Sequence, residues 1–134
     1  MRSRLAAAAL SLAAFLVAGC HGITTPSNNV TDTFSGTLQA KGTNSHPFSV
    51  SKTGEFSVRL TAWAPNTGIV VGMAWTQGAS DGSCTTGVLQ QNNFVNTTGQ
   101  ALGGAIVSGK YCIFIFDTGA MTAAQTYTFT VSHP

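Results

Sequence analysis

Charged side chains are scarce in this chain of 134 residues, where Lys, Arg, Asp and Glu together make up 7% of the sequence. So few charges leave no basic surface for a nucleic acid backbone, and we expect no nucleic acid partner. There are only four acids in the whole chain: Asp32, Glu55, Asp81 and Asp117. They stand far apart in the sequence, whereas a hard cation needs several carboxylates together. We therefore expect no metal and no cofactor.

Groups for acid–base catalysis are few as well, since the chain contains three histidines: His21, His46 and His133. None of them stands in a recognisable motif with a nucleophilic Ser or Cys and an acid that orients the ring. The scattered acids also offer no evident pair of carboxyl groups for glycoside hydrolysis. We therefore predict that the protein is not an enzyme. A hydrolase whose site is assembled from distant segments is a remote alternative.

Segments of alternating apolar and polar residues follow one another along the chain, and no segment after Cys20 has a sustained helical period. Alternation with a period of two is typical of strands that bury one face. It is clearest at residues 56–62 and 127–131. Seven or eight such strands between turn-rich sequences predict an all-β fold, an antiparallel β-sandwich or jelly roll. For residues 86–104 we expect irregular loop with one or two short strands.

Residues 110–117 are the most apolar strand candidate, and we expect the domain to be organised around them. The run is short, rich in β-branched and aromatic residues and bounded by turn sequences, which favours a strand over a buried helix. Its side chains are apolar in both directions: Tyr111, Ile113 and Ile115 point one way, and Cys112, Phe114 and Phe116 the other. A strand of this kind is usually covered on both faces. We therefore expect a central strand with both faces buried.

The N-terminus predicts an export signal, with a basic start at residues 1–4 and an apolar run at 5–18 that is too short for a membrane span. The run ends in Leu16-Val17-Ala18-Gly19-Cys20. This ending resembles the lipobox of bacterial lipoproteins, in which the cysteine is lipidated and becomes the first mature residue. The resemblance implies a membrane anchor at Cys20 after a signal helix at residues 1–19. A secretory signal in which Cys20 is incidental, and an uncleaved anchor, are the alternatives.

Lipidation at Cys20 implies a protein of the bacterial cell envelope, held outside the cytoplasm by its acyl chains. In proteobacteria an Asp after the lipidated cysteine commonly favours retention in the inner membrane. His21 occupies that position here, which favours the outer membrane if the source has one. Residues 20–31 are polar and lack a period, so we predict a flexible tether there and a folded domain at 32–134.

Two cysteines remain after Cys20, namely Cys84 and Cys112. An even pair in an exported chain is normally a disulfide, and we predict that these two are joined. Two buried free thiols are the alternative. A metal site is disfavoured because the pair lacks CxxC spacing and no histidine lies nearby in the sequence.

Apolar alternation recurs at residues 33–38, 46–50 and 54–60, and the chain ends with a Gly-Lys-Tyr at 109–111 and a last strand at 127–134. This pattern is similar to bacterial pre-peptidase C-terminal (PPC)-like domains. The resemblance implies a non-catalytic β-sandwich with a role in secretion, substrate attachment or surface binding. Some PPC-like domains bind calcium through acidic clusters, which the isolated acids of this chain do not match.

Four residues are candidates for ligand binding. Trp63 is in phase with Arg59 on the face of its strand that we expect to be exposed. An exposed Trp at a strand end can stack on a sugar or anchor a partner, or it can fold over the sheet edge and seal the core. The amides of Gln90 and Asn92 can bond a polysaccharide, or they can belong to a solvated loop. Trp75 follows the pattern of a core residue.

The sequence therefore predicts a non-catalytic, lipid-anchored binding or structural module of the cell envelope. Its expected partners are the membrane, through the anchor, and an envelope protein or a polysaccharide. A carbohydrate-binding module that uses an exposed Trp63 is the alternative.

Overall fold

The computed structural model describes residues 28–134, which form two four-stranded antiparallel sheets. The strands are β1 (Val30–Leu38), β2 (Thr43–Val50), β3 (Gly54–Ala64), β4 (Val71–Gly78), β5 (Cys84–Val95), β6 (Leu102–Ile106), β7 (Gly109–Phe116) and β8 (Gln125–His133). Sheet 1 has the order β1-β8-β3-β6, and sheet 2 has the order β2-β7-β4-β5. The predicted all-β sandwich is confirmed, and its strands number eight.

The predicted signal peptide and Cys20 lie outside the described residues. Val30 and Thr31, which we assigned to the tether, belong to β1 and pair with His133 and Ser132 of β8. The sheet continues to Val30 because β8 is long enough to offer partners to both residues. Within residues 28–134 no helix has the length and apolar character that a membrane crossing requires.

The core lies between the two sheets and is built from alternate residues of the strands. In β8, Tyr127, Phe129 and Val131 are buried, and the residues between them are more exposed. Residues of sheet 2, among them Met73 and Ile113, meet them as part of the same cluster. Burying one such side chain contributes about 1.5–3 kcal/mol. The apolar residues of the period-two pattern thus form the inner faces of the two sheets.

Residues 86–104, for which we expected irregular loop, contain most of the long strand β5 and part of β6. Two strands cross this region, as expected, but β5 is long rather than short, and it is an edge strand whose register with β4 shifts three times. Two of the shifts add one residue to β5 and move the side chains that follow to the other face, whereas the third adds two residues, so no continuous alternation survives in the sequence.

Two of the four acids close turns. Asp117 accepts hydrogen bonds from three backbone N–H groups in the loop after β7, and its other oxygen accepts one from the Lys41 N–H at 2.8 Å. Partial desolvation raises the pKa of Asp117, but these bonds outweigh it and hold the pKa below its usual value. Asp81 accepts two bonds from Ser83 in the β4–β5 turn. Both acids therefore support the loops at the ends of strands.

A candidate protein-binding face on sheet 2

Strand β7 lies inside sheet 2 between β2 and β4, as a central strand should. Its first face is buried as predicted, since Tyr111, Ile113 and Ile115 belong to the core. Its second face was expected to be covered, and this holds for Cys112, which is fully buried, but only in part for the two aromatic residues. Phe114 and Phe116 lie on the outside of the sandwich, where they are half-buried and line an open depression. The sandwich has two layers only, and no part of residues 28–134 forms a third layer over this face.

The depression on the outer face of sheet 2 is shallow, apolar and about 190 Å³ in volume. Its lining comes from all four strands of the sheet: Thr43, Ala74, Thr76, Thr86, Val88, Gln91, Phe114 and Phe116. We call this set of residues the outer face. It contains no charged side chain, and nearly all of its accessible surface is apolar.

Gly72 of β4 leaves room for the ring of Phe116 on the outer face. A Cβ added to Gly72 would lie 2.2 Å from the ring of Phe116, so the ring rests directly on the backbone of β4. A glycine within a strand often marks such a close approach. The ring is thereby held against the sheet, and the patch beside it stays open.

Thr76 contributes a polar group to the floor of the outer face. The residue is 1% exposed, and its hydroxyl has no hydrogen-bond partner within the described part of the chain. A buried hydroxyl without a partner costs about 1–3 kcal/mol.

The predicted disulfide between Cys84 and Cys112 is confirmed, with their Cα atoms 5.7 Å apart. It joins the beginning of β5 to β7, next to the outer face. Cys112 pairs in register with Thr76 of β4, and Cys84 pairs with Gly78. The bond therefore fixes the edge strand of sheet 2 to its centre.

Trp63, which is in phase with the face of β3 that we expected to be exposed, is 4% exposed and belongs to the core. A register shift between Leu60 and Ala62 moves the residues beyond it to the opposite face of β3. Trp63 then points inward with Leu60 rather than outward with Arg59. The exposed placement was wrong, and the alternative in which Trp63 seals the core holds. Trp75 is partly buried and packs on Phe56, with ring centroids 4.5 Å apart.

The other three candidates do not meet Trp63 in one site. Arg59 is exposed on the outer side of sheet 1, where it pairs in register with Thr130. The amide oxygen of Gln90 accepts a hydrogen bond from the Gly103 N–H at 3.1 Å. The amide nitrogen of Asn92 donates to the carbonyl oxygen of Ala101 at 3.0 Å. These amides tie β5 to the chain around the start of β6.

The two histidines of the domain lie in packed surroundings. His46 shares a hydrogen bond of 2.7 Å with the hydroxyl of Tyr127 and packs between aromatic rings. Burial lowers the pKa of His46 and raises that of Tyr127, the latter in part offset by a bond from Asn44. His133 lies 3.1 Å from Asp32. His133 lines a depression with Ser49 and Ser51, but no hydrogen bond joins a histidine to a Ser hydroxyl among residues 28–134, and no three potential metal ligands cluster there.

Comparison with protein-family models and with curated protein sequences finds no match. Among solved structures, the fold is similar to that of PliG from Aeromonas hydrophila, a periplasmic lysozyme inhibitor of g-type lysozyme. The two chains are 16% identical with a TM-score of 0.54, and the match covers 83% of this chain and 92% of that one. This likeness agrees with the two-sheet sandwich described above and extends to the fold alone.

Proposed function

We propose that this protein is a non-catalytic binding module of the bacterial cell envelope, anchored by lipid at Cys20. Its partner is a protein that covers the outer face of sheet 2. The observation that carries the proposal is the second apolar side of β7, where Phe114 and Phe116 are only half-buried and line the depression on the outside of the sandwich. Such a strand is normally covered on both sides, and a partner supplies the missing cover.

The chemistry of the outer face favours a protein over a polymer of sugars. The centres of protein interfaces are poor in charge and rich in aromatic residues, and the outer face has this composition. A sugar site would need freely presented hydrogen-bonding groups beside its aromatic rings. Here Trp63 is in the core, and the amides of Gln90 and Asn92 are engaged within the domain. The carbohydrate-binding alternative thereby loses its main residue.

Two further features support a location outside the cytoplasm. The disulfide between Cys84 and Cys112 is typical of oxidising compartments, and the lipobox-like ending at Cys20 is typical of exported lipoproteins. The similarity to PPC-like domains fits a non-catalytic role in surface binding. PliG, with a similar fold, is a periplasmic inhibitor of a lysozyme. We therefore propose an enzyme that cleaves the cell wall, of the g-type lysozyme class, as the first partner to test.

The test uses the mature chain, residues 20–134 with Cys20→Ser, made in an oxidising compartment and immobilised. Binding is measured against g-type lysozyme, a solubilised envelope extract and insoluble polysaccharide. Val88→Lys places a charge in the outer face, and Val107→Lys places the same charge in the β6–β7 turn. The two valines are matched, being 53% and 58% exposed.

We expect Val88→Lys to weaken binding of a protein at least tenfold, since a buried charge without a partner is costly at an interface. Val107→Lys should leave the affinity unchanged. Equal binding by both variants would contradict the assignment of the outer face. If the protein binds only polysaccharide, and Val88→Lys abolishes that binding, the protein is a carbohydrate-binding module instead. Inhibition of lysozyme activity in parallel identifies the partner class directly.

A further inference from the structure

Edge strands expose unpaired backbone N–H and C=O groups and are normally protected against pairing with other chains by charges, prolines, β-bulges or short length. The sandwich formed by residues 28–134 has four edge strands. In sheet 1, β1 carries Asp32, and β6 has five residues that include Gly103 and Gly104. In sheet 2, β2 carries Pro47. Three of the four edges are therefore protected by a charge, a proline or short length.

Strand β5 differs from the other three edges. It is twelve residues long, the longest strand of the domain, and it contains neither a charged residue nor a proline. The sequence has no charge at all between Asp81 and Lys110. Val88, Leu89 and Phe94 of β5 are all more than half exposed, with Phe94 at 78%. The protection of β5 is the set of bulges that the register shifts against β4 introduce, and only residues 90–92 between them pair regularly.

We propose that two copies of this protein pair antiparallel through their β5 strands, so that the two copies of sheet 2 join into one sheet of eight strands. The pairing is centred on residues 90–92. With Gln91 on the two-fold axis, Gln90 of one copy faces Asn92 of the other, and Val88 faces Phe94. The edge is thus complementary to itself in its backbone and in the apolar Val88 and Phe94, as a two-fold interface requires, while the amides of Gln90 and Asn92 keep their bonds within each copy.

The lack of charge along β5 favours a second copy of the chain as the partner of this edge. The uncharged stretch offers no attraction to an acidic or basic partner, and it imposes no repulsion between identical edges. The domain is also neutral as a whole, since Lys41, Lys52, Arg59 and Lys110 balance the four acids. Two copies therefore approach each other without the self-repulsion of a highly charged protein.

The residues before β1 are less suited to cover β5. β1 lies at one edge of sheet 1, whereas the edge strand of sheet 1 that contacts β5 is β6, at the opposite edge. The segment from Cys20 to the start of the described residues contains Pro26, which removes a backbone donor from any strand. If Cys20 is lipidated, the anchor confines the copies to one membrane surface and raises their effective concentration. Pairing of β5 leaves Phe114 and Phe116 open, so the dimer would present two outer faces on one side of a continuous sheet.

The first experiment measures the mass of the chain comprising residues 20–134 with Cys20→Ser, by light scattering over a concentration series. Gln91→Lys places two like charges opposite each other on the proposed axis, and Thr33→Lys places the same charge on the exposed edge of β1. We expect a dimer for the parent chain and for Thr33→Lys, and a dissociation constant raised at least tenfold in Gln91→Lys. Thermal unfolding of each variant checks that the fold is intact. A dimer that is insensitive to Gln91→Lys would overturn the proposal.

The second experiment uses the full chain in its own membrane. Gln91→Cys and Thr33→Cys are oxidised mildly and compared on non-reducing gels. Because Gln91 meets itself on the two-fold axis, we expect a covalent dimer for Gln91→Cys and none for Thr33→Cys. A monomeric mass at every concentration together with no crosslink at Gln91→Cys, or equal crosslinking at both positions, would refute pairing through β5.

Discussion

Removal of the bond between Cys84 and Cys112 should cost a large part of the stability of the domain. The two residues are 28 apart in sequence, and closing a loop of that length stabilises the fold by roughly 3.6 kcal/mol on the chain-entropy account. Small domains have total stabilities of about 5–15 kcal/mol. Such a loss corresponds to a melting temperature lower by about 15 °C for a domain of this size. The small cavity left at the buried Cys112 adds to the loss.

The assay is urea unfolding of the Cys20→Ser chain with and without Cys84→Ala and Cys112→Ala, followed by fluorescence of the two tryptophans. The parent chain under reducing conditions is the matched control, because it loses the bond without a change of side chain. Hydrogen exchange should increase most in β5, which the disulfide fixes to β7 and whose ladder with β4 is irregular. A loss of less than about 1 kcal/mol, or unchanged exchange in β5, would refute this reasoning.

Three further predictions follow from burial and from the anchor. Trp63→Ala should lower the free energy of unfolding by about 3–5 kcal/mol, because the side chain is in the core. A change below about 1 kcal/mol in urea unfolding would contradict the buried position of Trp63. Burial lowers the pKa of His46 in the folded protein. As pH falls below 6.5, the unfolded chain therefore binds more protons than the folded one, and the free energy of unfolding should decrease as pH decreases. His46→Gln should flatten this dependence between about pH 7 and 5, and an unchanged slope would contradict the assignment. Cys20→Ser should release the protein from membranes in fractionated cells, and continued membrane association would count against lipidation.

The fold could be predicted from sequence wherever strands keep one register. Residues 127–131 alternate without interruption, and β8 is an inner strand of sheet 1 that pairs with β1 in one register, while the bulge on its other side lies in β3. The disulfide followed from the number of cysteines in an exported chain. These features depend on local periodicity or on simple counting, which a sequence displays directly.

The candidate site was harder to predict because it depends on register shifts and on layers. The register shift beyond Leu60 turns the side chain of Trp63 to the opposite face of β3. The regular alternation of residues before Leu60 gives no indication of this shift. The shifts along β5 hide a long edge strand in the same way. The apolar second side of β7 was visible in the sequence, but whether another element covers Phe114 depends on how many layers the domain has. That number is a property of the whole fold.

The central claim is that a protein partner covers the outer face, and a photo-crosslinking amino acid tests it most directly in living cells. A benzophenone side chain replaces Phe114 in the outer face or, as a control, Arg59 on the outer side of sheet 1. We predict a discrete adduct with one envelope protein from position 114 and none from position 59. An adduct of twice the chain's own mass would instead report its second copy. No adduct from position 114, or the same adduct from both positions, would contradict the account.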